Sequence, residues 1–175
     1  MKYLSRISNF SKSLGILFLL LTAANVSSFA QAAWTSVGSD GTEVRPGAFT
    51  GPQVSIPVGS TSTVMNYNVT ATPGLFLGPN KRLVARFLDP DGNGAIRVVA
   101  RLFRHQLIDG ATVLLATLDS NAFPLNAAFQ VQSVPIPAVP DFHFGRNSYF
   151  IQVTLTRPAG AASPGLSMLQ ITTAP

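Results

Sequence analysis

Residues Lys81 to Ser120 read KRLVARFLDPDGNGAIRVVARLFRHQLIDGATVLLATLDS. Leu83, Ala85 and Phe87 alternate with Arg82, Val84 and Arg86, and the same period of two recurs on either side of the turn at Ile108-Asp109-Gly110. The stretch therefore predicts three antiparallel strands, each with one apolar face. If Asp89 to Gly94 is a hairpin loop, Phe87 lies opposite Ile96, Ala85 opposite Val98 and Leu83 opposite Ala100, so both apolar sets share one side. The next turn is read by the same criterion. A two-residue Asp109-Gly110 loop would set Leu102 against Thr117, whereas a three-residue loop with Gly110 left-handed sets Leu102 against Ala116 and Ala100 against Leu118. The three-residue loop is expected. Arg104 interrupts the core side near the strand end, where its guanidinium can reach solvent along its apolar stem.

Outward from this unit the pattern stays β. Met65, Tyr67, Val69 and Ala71 alternate with Asn66, Asn68 and Thr70, and Tyr149, Ile151, Val153 and Leu155 alternate with Phe150, Gln152, Thr154 and Thr156. Gln53 to Val58, Phe129 to Gln132 and Leu166 to Thr172 supply shorter pieces, while Pro135, Pro137 and Pro140 confine their segment to an edge or a connection. About eight strands with turn signals every 8 to 12 residues, and no amphipathic helix, give an all-β fold: a two-sheet antiparallel β-sandwich, jelly-roll-like in preference to an immunoglobulin-like Greek key.

The N-terminus carries Lys2, Arg6 and Lys12, then the apolar run Leu14 to Ala24, then the small-residue segment Ser28-Phe29-Ala30-Gln31-Ala32. That order is a secretory signal peptide over residues 1–32, cut after Ala32 or, as second choice, after Ala30. The remaining 33–175 are one β-sandwich domain, with no transmembrane segment once the leader is removed. The chain has no Cys, which rules out disulfides and thiol chemistry and suits a periplasm or cell exterior of bacterial type. Of the 12 Lys and Arg, three leave with the leader; the nine that stay face seven Asp and Glu, a balance of +2 that gives no reason to expect nucleic acid. Six of those nine, Lys81, Arg82, Arg86, Arg97, Arg101 and Arg104, fall within 24 residues.

Two constellations follow. In the hairpin register Arg86 lies opposite Arg97, with Arg101 on the same outward face. Three guanidinium forks there would suit an oxyanion, an acidic polysaccharide or an acidic surface, and the bland alternative is a solvated face. Asp89-Pro90-Asp91-Gly92-Asn93-Gly94 matches the first half of a calcium loop, with Asp89, Asp91 and Asn93 as oxygen ligands. The twelfth position is Ala100 instead of Glu, so an EF-hand is excluded and a weak calcium site competes with a plain turn. No other cofactor is expected.

Catalytic inventory is poor: His105, His143, the single Glu43 and no nucleophile elbow, so no enzyme is expected. Most aromatics belong to the core, with Phe142 and Phe144 the ones expected at the surface. The sequon Asn68-Val69-Thr70 is incidental in such a context. These readings give an exported, non-enzymatic binding module for carbohydrate or an anionic surface; the alternative is a structural or matrix protein that self-associates outside the cell.

Overall fold

The computed structural model describes residues 32–76, 80–91, 94–137 and 142–173. The leader segment 1–31, and with it the expected export signal, lies outside them, as do Asn93 and Asp141. The chain runs β1 (Ala32–Val37), β2 (Thr42–Arg45), β3 (Ala48–Thr50), β4 (Gln53–Ser55), β5 (Ser62–Val69), β6 (Lys81–Asp89), β7 (Arg97–Gln106), β8 (Thr112–Asp119), β9 (Asn126–Pro135), β10 (Asn147–Thr156) and β11 (Gly165–Thr173). Three short 3-10 turns, Gly38–Asp40, Pro73–Phe76 and Ser120–Ala122, are the helical pieces among the described residues.

Two antiparallel sheets form. One has the order β3-β4-β11-β6-β9, with β1 also pairing β11, and the other has the order β2-β5-β10-β7-β8. Within them β4 pairs β11, β5 pairs β10, β6 pairs β9 and β7 pairs β8. These four pairs are nested about the β7–β8 turn, as if one long hairpin had been rolled up, and that is the jelly roll. The expected fold class and topology are therefore the ones formed.

The alternating strands deliver their apolar sets to one core. Met65, Tyr67 and Val69 of β5 meet Leu83, Ala85 and Phe87 of β6, Val98, Ala100 and Leu102 of β7, and Ile151, Val153 and Leu155 of β10. Leu166, Leu169 and Ile171 of β11 complete it. The early segment, read from sequence as turns and short pieces, is held by side chains as well as by backbone. The Tyr67 hydroxyl donates to the Gly38 carbonyl at 2.6 Å, and burial, with the Asp40 charge acting in the same sense, raises this phenol well above its ordinary range.

The register of the central stretch comes out half as expected. Leu102 opposes Ala116 and Ala100 opposes Leu118, and Gly110 is left-handed at φ 73°. A bulge between Leu102 and Phe103 then shifts the pairing by one, and Gln106 N–H donates to Ala111, leaving Leu107 to Gly110 as a four-residue turn. The expected β6–β7 hairpin does not form. The strands lie in different sheets: Ala85 pairs with Gln132 and Leu169, while Val98 pairs with Leu155. Alternation does not separate the two arrangements, because strands facing each other across a sandwich also turn one apolar side each toward a common core. The loop after Asp89 crosses between sheets roughly 10 Å apart.

Candidate functional site

That correction disperses the expected arginine face. Arg86 belongs to the outer side of the first sheet, opposite Val131 and Met168, where its Nη1 donates to Ser167 Oγ at 3.1 Å and its guanidinium covers the Phe129 ring at 4.9 Å. Arg97 and Arg101 belong to the outer side of the second sheet. Arg97 is spoken for: its Nε donates to Asp119 Oδ1 at 2.9 Å and its Nη2 donates to Asp119 Oδ2. Those hydrogen bonds hold the Asp119 carboxyl below the usual carboxylate range, against the opposing effect of partial burial and aided by the Asn121 N–H and the Arg97 and Arg101 charges. Arg82 donates to Ser133 Oγ at 2.9 Å, and Lys81 is buried with its ammonium 6.0 Å from the centre of the Phe142 ring. Of the three arginines expected to bind an anion, Arg101 keeps its head group free of hydrogen bonds to the described residues.

The calcium loop is drawn inward at its first position. Asp89 is 2% exposed and its Oδ2 accepts from Ser120 Oγ at 2.5 Å, so this carboxylate helps to tie β6 to the turn after β8. Asp91 is partly buried, Asn93 is outside the described residues, and no group of three or more His, Cys, Asp or Glu converges among the described residues. His105 Nδ1 lies 3.0 Å from Thr112 Oγ1, and Glu43 Oε1 accepts from Gly47 N–H at 3.1 Å.

The aromatic expectation is inverted. Phe142 is 0% exposed, stacks with Phe144 and packs tilted against Tyr149, with centroids 6.1 Å and 4.5 Å away, so the two rings expected at the surface help to close one end of the core. Outside the core, on the outer side of the second sheet, lie Phe103 and Phe150. Directly opposite each other on β7 and β10, their rings stack at 5.1 Å with an interplanar angle of 21°. Alternation made them outward-facing in the sequence; only the β7–β10 pairing makes them adjacent.

Around this pair the register builds an ordered surface. Asn68, Phe150, Phe103 and Leu114 form one row across β5, β10, β7 and β8, and Asn66, Gln152, Arg101 and Thr117 form the next, about 7 Å along the strands. Gln152 Nε2 donates to Asn66 Oδ1 at 3.3 Å, which orients both amides. On the far side of the rings lies the row of Ser148, His105 and Thr112. The result is an apolar strip two rings wide between two rows of hydrogen-bonding groups.

No family profile and no curated protein matches the chain. Among solved structures it is similar to the CBM36-1 domain of a multidomain xylanase from the hindgut metagenome of Trinervitermes trinervoides. There the identity is 12%, the TM-score 0.48, and the match covers 81% of this chain and 98% of that one. A family GH115 4-O-methyl-alpha-glucuronidase with specificity for decorated arabinogalactans matches at 11% identity and TM-score 0.42, over 87% of this chain and 19% of its own. The mannan-binding module of Man5C matches at 12% identity and TM-score 0.33, over 81% and 99%. At these levels no ligand is transferred from them to this chain.

Proposed function

We propose that this protein is an exported, non-catalytic β-sandwich that binds carbohydrate on the outer face of its β2-β5-β10-β7-β8 sheet. The observation that carries the reading is the stacked Phe103–Phe150 pair between the Asn66-Gln152-Arg101 row and the Ser148-His105-Thr112 row. A saccharide presents C–H faces rimmed by hydroxyls. Aromatic rings take up the former by excluding water, and amides, hydroxyls and a guanidinium pair with the latter. Strand residues held in a sheet lose little freedom on binding, which favours this kind of shallow recognition.

The test is retention of the purified 33–175 chain in native gels cast with neutral and acidic plant and microbial polysaccharides. At least one is expected to retard the protein, and Phe103→Ala with Phe150→Ala is expected to restore free migration while the circular dichroism spectrum stays that of the parent. Retardation unchanged in the double variant would move the site elsewhere. Export is supported by the order of charges, apolar run and small residues at the N-terminus. The mass of the protein recovered from an expressing cell's periplasm or medium checks the cut after Ala32.

A second reading, self-association, has its own observation. β8 is one of the two edge strands of its sheet and carries Val113 and Leu114, 36% and 50% exposed. An apolar edge is a template for strand pairing between copies. On the same side of the other sheet's strand order, the edge strand β9 ends at Pro135, with Pro137 close behind, and proline offers no donor to a new ladder. Concentration-dependent elution on a sizing column that Leu114→Lys abolishes would favour assembly; a monomer throughout would remove this reading.

A further inference from the structure

At the end of the sandwich away from the β6–β7 crossing, the β7–β8 turn and the segment from His143 to Asn147 flank a cleft of about 1100 Å³, lined among others by Arg104, Gln106, His143, Arg146 and Asn147. Leu107 N–H donates to the Arg146 carbonyl at 2.9 Å, which joins the two segments. Asn147 Nδ2 donates to the His143 carbonyl at 3.1 Å, and the buried rings of Phe142 and Tyr149 lie behind this loop.

Its charge is one-sided. Arg104 and Arg146 contribute two guanidiniums and His143 an imidazole, and no Asp or Glu is among the described lining residues. The nearest carboxylate in sequence, Asp109, turns back on its own loop, where Oδ1 accepts from Ala111 N–H at 2.9 Å. Arg104 arrives by an unusual route. It follows Leu102 on the core side of β7, opposite Tyr149, and its Nε is buried with no hydrogen-bond partner among the described residues. A cationic donor removed from water without an acceptor is a costly arrangement, and such groups in native proteins are met by a water, an ion or a ligand.

We infer that this cleft is an oxyanion site. A carboxylate or sulfate group on a ligand accepts from Arg104 and Arg146, while Leu107 and Ile108, 59% and 93% exposed on the rim, take the ligand's apolar surface. The site is distinct from the outer face of the sheet and stands whether or not that face binds carbohydrate. Two sources of the anion are distinguishable, a free inorganic ion and a uronate or sulfate ester carried by a saccharide.

The experiment is isothermal titration and thermal unfolding of the 33–175 chain with sodium sulfate, with an oligogalacturonate and with the neutral oligogalactoside as control. Saturable binding of either anion, weakened at least tenfold by Arg104→Met, is expected; sulfate alone would identify a free ion as the source, oligogalacturonate a saccharide. Without ligand, Arg104→Met is expected to melt no lower than the parent, because it keeps the apolar stem and removes the unsatisfied donor. A purely structural Arg104 would make that variant melt lower and leave anion binding intact. Arg146→Gln, on the exposed loop, repeats the binding test should Arg104→Met fail to fold. Absence of binding by both anions, or affinities equal in parent and variants, overturns the site.

Discussion

Ser120 holds Asp89 from the opposite sheet: its hydroxyl donates to Asp89 Oδ2 at 2.5 Å and accepts from Val98 N–H at 3.0 Å, with Ser120 and Asp89 each 2% exposed. One buried hydroxyl thus joins the end of β6, the start of β7 and the turn after β8. Ser120→Ala would leave both a carboxylate oxygen and a backbone N–H without this partner. A loss of about 2 kcal/mol is expected, since leaving the buried Val98 N–H unsatisfied costs roughly 1–3 kcal/mol. Urea denaturation measures it, and a loss under about 0.5 kcal/mol would show that water replaces the hydroxyl there.

The Phe103–Phe150 contact carries a separable energy. Stacked aromatic pairs couple by roughly 0.5–1.5 kcal/mol beyond their buried area. A double-mutant cycle of Phe103→Ala and Phe150→Ala in urea is expected to return about 1 kcal/mol of coupling. Additive single losses would mean that the rings do not stack in solution.

Asp119 makes the protein sensitive to acid in a defined direction. Its folded carboxyl titrates below its unfolded value, chiefly through the Arg97 hydrogen bonds. The stabilisation is therefore fully present above the ordinary carboxylate range and is lost as pH falls through the lowered value. Arg97, whose own value is raised by the same bonds, stays charged throughout and adds no second window. Because the Arg97 side chain is 45% exposed, the pair is worth no more than about 1 kcal/mol. Asp119→Asn is expected to lower stability by that amount at neutral pH and to flatten the acid limb of the stability curve. An acid limb identical to the parent's would count against the pair.

Two glycines predict opposite scales of damage. A Cβ on Gly38 would stand 2.1 Å from the Leu166 carbonyl oxygen, so Gly38→Ala must displace β11 or the 3-10 turn that presents the carbonyl to Tyr67. The expected cost exceeds about 3 kcal/mol, at or beyond the upper end of overpacking losses. Gly110 has nothing within 4 Å of its would-be Cβ but sits at φ 73°, so Gly110→Ala is expected to cost only the left-handed strain, about 1 kcal/mol. Melting temperatures of the two variants rank them. Equal losses would contradict the packing of Gly38 against β11.

By itself the sequence determined the strands and their inner faces. Leu83, Ala85, Phe87, Val98, Ala100, Leu102, Ile151 and Val153 are buried where the period of two put them, because a β-strand turns alternate side chains to opposite sides whatever it pairs with. It also determined which strands pair across the local turn and their register as far as Leu102–Ala116, beyond which a bulge shifts it by one. Partners at long range were decided by the tertiary structure. Whether β6 lies beside β7 or faces it across the core is the same alternation read in two geometries, and rolling the chain into nested pairs chose the second. That choice separated Arg86 from Arg97, drew Asp89 inward to Ser120, brought Phe103 beside Phe150 across 47 residues of chain and left Arg104 at the mouth of a cleft. Side-chain neighbourhoods of this kind are set by which strands a closed core makes adjacent, and the pattern of any one strand holds no record of them.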